Sequence, residues 1–372
     1  MRLPVSISKP YHFATILTFA LSAVGVASAT STLESMDEEV SALYEKTKDA
    51  IVKVHAQRAP IFGGLPFGPV HRVGTGFFMD AEGHILTAAS VVSEADTWWV
   101  DWHGQKVPAK VVGRDPLTNV AVLKVDPTIC GGERHETPEL KYGNPSELRV
   151  GSMVIAMGFP YDLPIAPTVG FVSGLDIRCG AHMFVISHIR AGLRLSPGQG
   201  GGPVFNTRGE VVGMAVAAHL DSQCYALPIN AAMKVADDIL AHGEAQHAWV
   251  GLSVAERELS LPETTGSQWQ VYIQQVYSNT PAADAGFHDR DILVRICTNE
   301  IRRTADVLNT IFYYRCGESA HFTVLRDGKS LSLSLLVGRR PVQDAFLPKP
   351  APLPPVRPEE PGLVITPTSG SP

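Results

Sequence analysis

At 372 residues the chain is too long for one ordinary core and is expected to hold two globular domains with tails. A hydrophobic fraction of 45% and 33 glycines fit folded, turn-rich β structure better than a disordered chain. The formal net charge of −6 leaves no global basic surface, so no nucleic acid partner is expected.

The chain opens with Arg2 and Lys9, an apolar stretch from Phe13 to Val26, and the small-x-small pattern Ala27-Ser28-Ala29. Residues 1–29 therefore read as a secretory signal peptide cleaved after Ala29, with an uncleaved membrane anchor as the alternative. The expected product is exported, periplasmic or extracellular. From Leu33 to Val54 apolar residues recur at helical spacing, acids early and lysines late, which predicts a helix. A Gly/Pro loop carrying Phe62 and Phe67 follows, from Pro60 to Pro69.

From there to about Pro228 the chain reads as short strands between turns: GTGFFMDAEGHILTAASVV, VPAKVVGRD, NVAVLKVD, GSMVIAMGFP, TVGFVSGL, GEVVGMAVAA and YALPIN. That spacing predicts a barrel or sandwich. A helix capped by Asn230 is expected to run to His242 and close the first domain. Strand-like segments resume at Trp249 and continue through VYIQQVY, DILVRI and HFTVLRDGKSLSLSLLV, with TADVLNTIFYYR as a helix among them. The last 32 residues, from Pro341, hold ten prolines and too little apolar content to pack, so an extended tail is expected.

The five cysteines, Cys130, Cys179, Cys224, Cys297 and Cys316, are an odd number without framework spacing. Cys297 and Cys316 fall in one domain and are the pair considered for a disulfide. With no CxxC, no HExxH and no clustered His/Cys set, the sequence supports no metal site, and no cofactor is expected.

Four segments together resemble the HtrA (Deg-type) serine proteases. VGTGFFMDAEGHILTAASVV is similar to the family's GSGF…G-ILTN-HVV pattern, and GRDPLTNVAVLKVD to its GxDxxTDxAVLK stretch. MGFPYDLPIAPTVGFVSGL resembles GxPxG…VTxGIVS, and SPGQGGGPVFNTRGEVVGM resembles NPGNSGGPLxNxxGxVxG. The resemblance runs in order from about Glu34 to Arg340. It implies a mostly β fold: a chymotrypsin-like double six-stranded β-barrel domain over residues 30–243, then an α+β PDZ domain over 248–340 and a tail over 341–372.

At the family's catalytic positions this chain departs from the pattern. Ser90 stands where the family has His, Asn119 where it has Asp, and Gly200 where it has the nucleophilic Ser. A serine hydroxyl needs a neighbouring imidazole to take its proton, and a carboxylate to fix that imidazole's tautomer. Glycine offers no nucleophile, and neither Ser90 nor Asn119 replaces the missing base. Ser196, Cys179, Cys224, His84, His182 and His188 are the candidates for a relocated constellation, but none shows a nucleophile–base pairing. The amides of Gly198 and Gly200 match the family's oxyanion-hole positions, and the loop reads either as a relic of that hole or as a purely structural glycine turn.

Trp249-Val250-Gly251-Leu252 looks like the x-Φ-G-Φ carboxylate-binding loop of a PDZ domain, and NTPAADAGFHDRDIL like its SPAAxAGLxxGDxI segment, with Arg290 where glycine is more usual. Val250, Gly251 and Leu252 would then hold a partner's C-terminus by β-augmentation; the alternative is an intramolecular regulatory domain. The function expected is a non-catalytic protein binding peptides, protein C-termini or unfolded segments, as a homotrimer or beside an active paralogue. The alternative is a serine endopeptidase of protein quality control.

Overall fold

The computed structural model describes residues 32–58, 70–129, 138–179, 182–219, 223–259 and 268–341. The expected signal peptide, the loop with Phe62 and Phe67, Cys130 and nearly all of the Pro-rich tail lie outside the described residues. Two units divide the chain, residues 1–42 and 43–372.

In chain order the elements are α1 (Thr32–Thr47), β1 (Ile51–Arg58), β2 (Val70–Phe78), β3 (His84–Ala88), α2 (Ala89–Val92), β4 (Thr97–Trp102), β5 (Gln105–Asp115) and β6 (Val120–Val125). Next come β7 (Met153–Gly158), β8 (Ala166–Cys179), β9 (His182–Ala191), β10 (Pro203–Phe205), β11 (Val211–His219), β12 (Gln223–Pro228) and α3 (Ile229–His242). The remainder is β13 (Ala248–Trp249), β14 (Leu252–Leu259), β15 (Gln268–Val276), α4 (Pro281–Asp284), β16 (Ile292–Ile296), β17 (Asn299–Glu300), α5 (Thr304–Phe312), β18 (Ser319–Arg326), β19 (Lys329–Leu336) and β20 (Gly338–Arg339).

Two closed six-stranded barrels form, in the orders β1-β2-β3-β6-β5-β4 and β7-β8-β9-β12-β11-β10. One antiparallel topology is thus used twice, as expected for the double-barrel fold. The strand period of two explains how each barrel fills and how the barrels join. In β2, Phe78 points into the first barrel while Phe77 faces the seam between barrels. In β3 and β6, Ile85, Ala121 and Leu123 go inside, whereas Leu86, Val120 and Val122 go to the seam. Burial of both faces is why VAVLKV reads as an almost continuous apolar run. Val154, Val172, Ile189, Val204 and Cys224 fill the second barrel, and Val235 and Ile239 of α3 join the seam core.

The third layer is a sheet in the order β14-β15-β16-β18-β19, with β17 on β16 and a separate β13–β20 pair. β14 is its edge strand, and α5 packs beside it on a core of Ile273, Phe287, Val307, Ile311 and Phe322.

Four expectations need correction. The helix predicted to Val54 ends at Thr47, and Ile51, Val52 and Val54 begin a strand pairing with both β2 and β4; long-range pairing of β-branched residues outweighs a helical spacing. Strands β4 and β9 were not anticipated from TWWVDW and HMFVISHIRA, although Val100 and Trp102 of β4 alternate inward. Asn230 does not cap α3: Pro228 occupies that place without a side-chain bond. Cys297 and Cys316 are free thiols, Cys297 Sγ lying 2.9 Å from Tyr314 Oη and Cys316 Sγ 3.6 Å from the Gly338 carbonyl.

Candidate functional site

Ser90, Asn119 and Gly200 come together where the barrels meet. Ser90 is exposed on α2, directly after β3. Asn119 lies in the turn between β5 and β6 in left-handed backbone (φ 58°), a conformation that asparagine adopts more readily than most residues. Its amide bridges the barrels: Oδ1 accepts from the Ser90 backbone N–H at 2.8 Å, and Nδ2–H donates to the Val216 carbonyl of β11 at 2.8 Å. Both partners fix the amide orientation, because one is a donor and the other an acceptor. The Asn119 carbonyl also accepts from the Ala89 N–H at 3.0 Å.

Gly200 sits in the loop between β9 and β10, and a Cβ placed on it meets nothing within 4 Å. Thr75, Tyr161 and Thr168, which the sequence patterns do not single out, help to hold the loop. Buried Thr75 of β2 donates its N–H to the Gly200 carbonyl (2.9 Å) and its hydroxyl to the Gly198 carbonyl (2.8 Å). Thr75 is itself tied to β3, its carbonyl accepting from Thr87 Oγ1 at 2.7 Å. Tyr161 N–H takes the Pro197 carbonyl at 2.7 Å, and Gly202 N–H takes the Gln199 carbonyl at 3.1 Å. The Gln199 side chain is buried, accepting from Ser196 N–H at 2.7 Å and donating to Thr168 Oγ1 at 3.3 Å.

Every carbonyl from Pro197 to Gly200 is therefore engaged, and Gln199 N–H donates to the Ser196 carbonyl. The N–H groups of Gly198 and Gly200 have no partner among the described residues. Gly198 has φ +98°, and a Cβ there would stand 2.2 Å from the Phe159 carbonyl, so only glycine fits this bend.

The other weighed residues do not assemble into a nucleophile and base. His84 Nδ1 lies 2.6 Å from Asp80 Oδ2, and with Glu82 these groups offer ligand atoms within 4.8 Å of one another, a metal-compatible turn that the D-x-E-x-H spacing could have signalled. His188 is buried, its Nδ1–H donating to the Ile186 carbonyl at 2.9 Å, and it stacks on Phe184. Burial pushes the Cys224 thiol up to about 12, which keeps it protonated and unreactive. The side chains of Cys179 and His182 lie outside the described residues.

A second titratable cluster stands on the outside of the first barrel. His55 Nε2 lies 3.1 Å from Asp101 Oδ2, and His55 Nδ1 lies 2.9 Å from His71 Nε2. Trp99 stacks parallel to both imidazoles. Burial lowers the His55 pKa against the opposing pull of Asp101.

In the third layer, Val250 and Gly251 turn their carbonyls inward, accepting from the N–H groups of Ala282 (3.0 Å) and Tyr277 (3.0 Å). Gly251 has φ +82° and its missing Cβ would collide with Thr280 at 2.2 Å. Leu252 then begins the open edge strand β14. The layer docks on the second barrel through α5: Asn309 Oδ1 accepts from Ser187 N–H at 2.8 Å, and Asn309 Nδ2–H donates to Ser187 Oγ at 3.0 Å. His247 Nε2 reaches Asp115 Oδ2 at 2.8 Å; burial pushes that carboxyl up, but His247, Thr118 and the Leu117 N–H together hold it below its usual value.

Residues 74–214 match the trypsin-like peptidase domain family, and residues 248–337 match the PDZ domain family. The chain carries a trypsin-like peptidase domain followed by a PDZ domain. Among curated relatives, a probable periplasmic serine endoprotease DegP-like of Pseudomonas fluorescens is 31% identical over 288 residues, covering 74% of this chain and 59% of the relative. A protein of the same description from Hahella chejuensis is 30% identical, covering 76% of this chain and 61% of its own length. The chain thus spans about three fifths of the length of the curated relatives it matches. Among solved structures, the HtrA-type protease AlgW with tripeptide superposes with a TM-score of 0.66 at 25% identity, covering 82% of this chain and 98% of that one. The described residues contain no helix long and apolar enough to cross a membrane.

Proposed function

We propose that this chain is an exported HtrA-like protein whose protease-like domain has lost catalysis and retains peptide binding, with the PDZ domain taking protein C-termini or unfolded segments. The observation that carries the reading is Gly200 at the nucleophile's position, with open space where a side chain would stand. The other two positions support it. The Asn119 amide is spent on Ser90 N–H and Val216 carbonyl, and no imidazole stands at position 90. In subtilisin, triad removal costs about a million-fold in turnover and leaves roughly a thousand-fold or more over water, too little for a working protease.

Peptide binding is supported by the loop and edge geometry. The inward-turned carbonyls of Val250 and Gly251 leave that loop's N–H groups to hold a carboxylate, and β14 offers an unpaired edge for an added strand. AlgW, the similar structure, was solved with peptides bound. Export is supported by the leader pattern before Thr30 and by relatives described as periplasmic. Assembly as a homotrimer, or with an active paralogue, belongs to this reading as its quaternary form.

A second reading, serine endopeptidase of protein quality control, is favoured by the endoprotease descriptions of the relatives. One experiment separates the two. Purified protein is incubated with unfolded casein and with a fluorophosphonate probe, beside the variant Ser90→His/Asn119→Asp/Gly200→Ser. The proposal expects cleavage and labelling only in the variant. Either activity in the unmodified protein establishes the endopeptidase reading instead.

A further inference from the structure

We infer that the protease-like cleft is a site for the C-terminal carboxylate of a peptide, one oxygen on the N–H groups of Gly198 and Gly200 and the other above Gly200. The inference rests on the non-catalytic reading and names the ligand of that cleft.

Three observations converge on a carboxylate in preference to an uncleaved peptide carbonyl. The first is the donor pair. Because the Pro197 carbonyl is fixed on Tyr161 N–H, the Gly198 N–H, antiparallel to it in the trans peptide, points away from Tyr161. Thr75 fixes the carbonyls on either side of Gln199, so neither flanking peptide turns its oxygen toward the donors. A hydrogen bond to an anionic oxygen is roughly twice as strong as one to a neutral carbonyl.

The second observation is room. A planar carboxylate has two oxygens to place, and the open space at Gly200 receives the second, where a serine enzyme carries its hydroxyl. The third is charge. An aspartate at position 119 would repel an anionic ligand, whereas Asn119 is neutral and held on both ends; Ser90 is neutral as well and neither repels a carboxylate nor, unlike an imidazolium, attracts one. A neutral carbonyl ligand gains nothing from losing that negative charge. A carboxylate does.

The test uses the full chain labelled with 15N-glycine, titrated with acetyl-Ala-Val-Leu bearing a free carboxylate, with the same peptide ended in a carboxamide, and with sodium acetate. The expected result is a saturable downfield shift of the Gly198 and Gly200 amide protons with the free-acid peptide, absent with the carboxamide and at least about tenfold weaker with acetate. Gly200→Leu abolishes the shift at Gly198 while the Gly251 signal, which reports the PDZ loop, still responds, and the Gly74 and Gly213 signals stay in place, reporting intact barrels. Asn119→Asp weakens binding in the cleft by roughly tenfold through like-charge repulsion and leaves Gly251 unchanged.

Equal shifts from the carboxamide overturn the inference in favour of a plain carbonyl site. A response confined to Gly251 also overturns it, leaving the PDZ loop as the carboxylate site. Acetate binding as tightly as the peptide overturns the peptide assignment. Hydrolysis of the carboxamide peptide, read by mass spectrometry in the same tube, refutes the non-catalytic reading itself and so is distinguished from failure of the carboxylate inference.

Discussion

Replacing Asn119 by Asp keeps nearly every atom in place and reverses one interaction. Oδ1 still accepts from Ser90 N–H, but the atom that donated to the Val216 carbonyl at 2.8 Å becomes an oxygen facing an oxygen. Leaving a part-buried carbonyl without its donor costs about 1–3 kcal/mol, and for a domain of this size each kcal/mol lowers Tm by about 2–4 °C. Asn119→Asp is therefore expected to melt roughly 2–12 °C below the unmodified protein at pH 7 in a calorimetric scan. A carboxyl held against a carbonyl has its folded pKa raised, so its protonated form, which can donate, is favoured. The deficit is then largest at neutral pH and shrinks as pH falls to about 4 and below, where the folded-state carboxyl carries its proton. Ser90→His in the same molecule supplies an imidazole N–H to the new carboxylate, so the double variant should recover about 1 kcal/mol relative to the sum of the single changes. An Asn119→Asp protein that melts with the unmodified one at pH 7, and shows no coupling to position 90, would refute the role assigned to the Val216 bond.

Four further outcomes are expected. Gly200→Ser enters open space and should change stability by less than about 0.5 kcal/mol, whereas Gly251→Ala, at φ +82° and 2.2 Å from Thr280, should cost at least about 1 kcal/mol and weaken peptide binding by the PDZ domain, both measurable by urea melts and fluorescence titration. Thr75→Val removes the donor to the Gly198 carbonyl and the acceptor of the Phe159 N–H (3.1 Å); it should destabilise by roughly 1–3 kcal/mol and broaden the Gly198 amide signal in NMR spectra. His55 is buried with a lowered pKa, so the unfolded chain binds its proton more readily; stability should be intact above about pH 6.5 and fall as pH drops below it, with the fall reduced in His55→Gln. A Tm that is flat between pH 7.5 and 5.5 would contradict the burial of a neutral His55.

Short apolar runs broken by turn residues made a barrel or sandwich legible, and the resemblance to the HtrA proteases supplied the double barrel and the PDZ layer. The strands beginning at Ile51 and Thr97 were not legible. Whether Ile51 to Val54 continues a helix or starts a strand depends on β2 and β4 arriving on both sides, which local spacing does not encode. Likewise a capping residue at 230 and a cysteine pair at 297 and 316 are plausible by composition, and both fail on geometry.

At the candidate site, the sequence alone spells out which side chains stand at positions 90, 119 and 200, and it is on those side chains that the proposed loss of catalysis rests. The resemblance to the HtrA proteases is what singles out Ser90, Asn119 and Gly200. Only the tertiary structure decided what those positions now do. The Asn119 bridge needs Val216, 97 residues away, and the orientation of the 197–200 loop needs Thr75 and Tyr161 from other strands and loops. Backbone N–H groups carry no mark in a sequence; where they point depends on which neighbours take the adjacent carbonyls, and those neighbours are brought together by the fold.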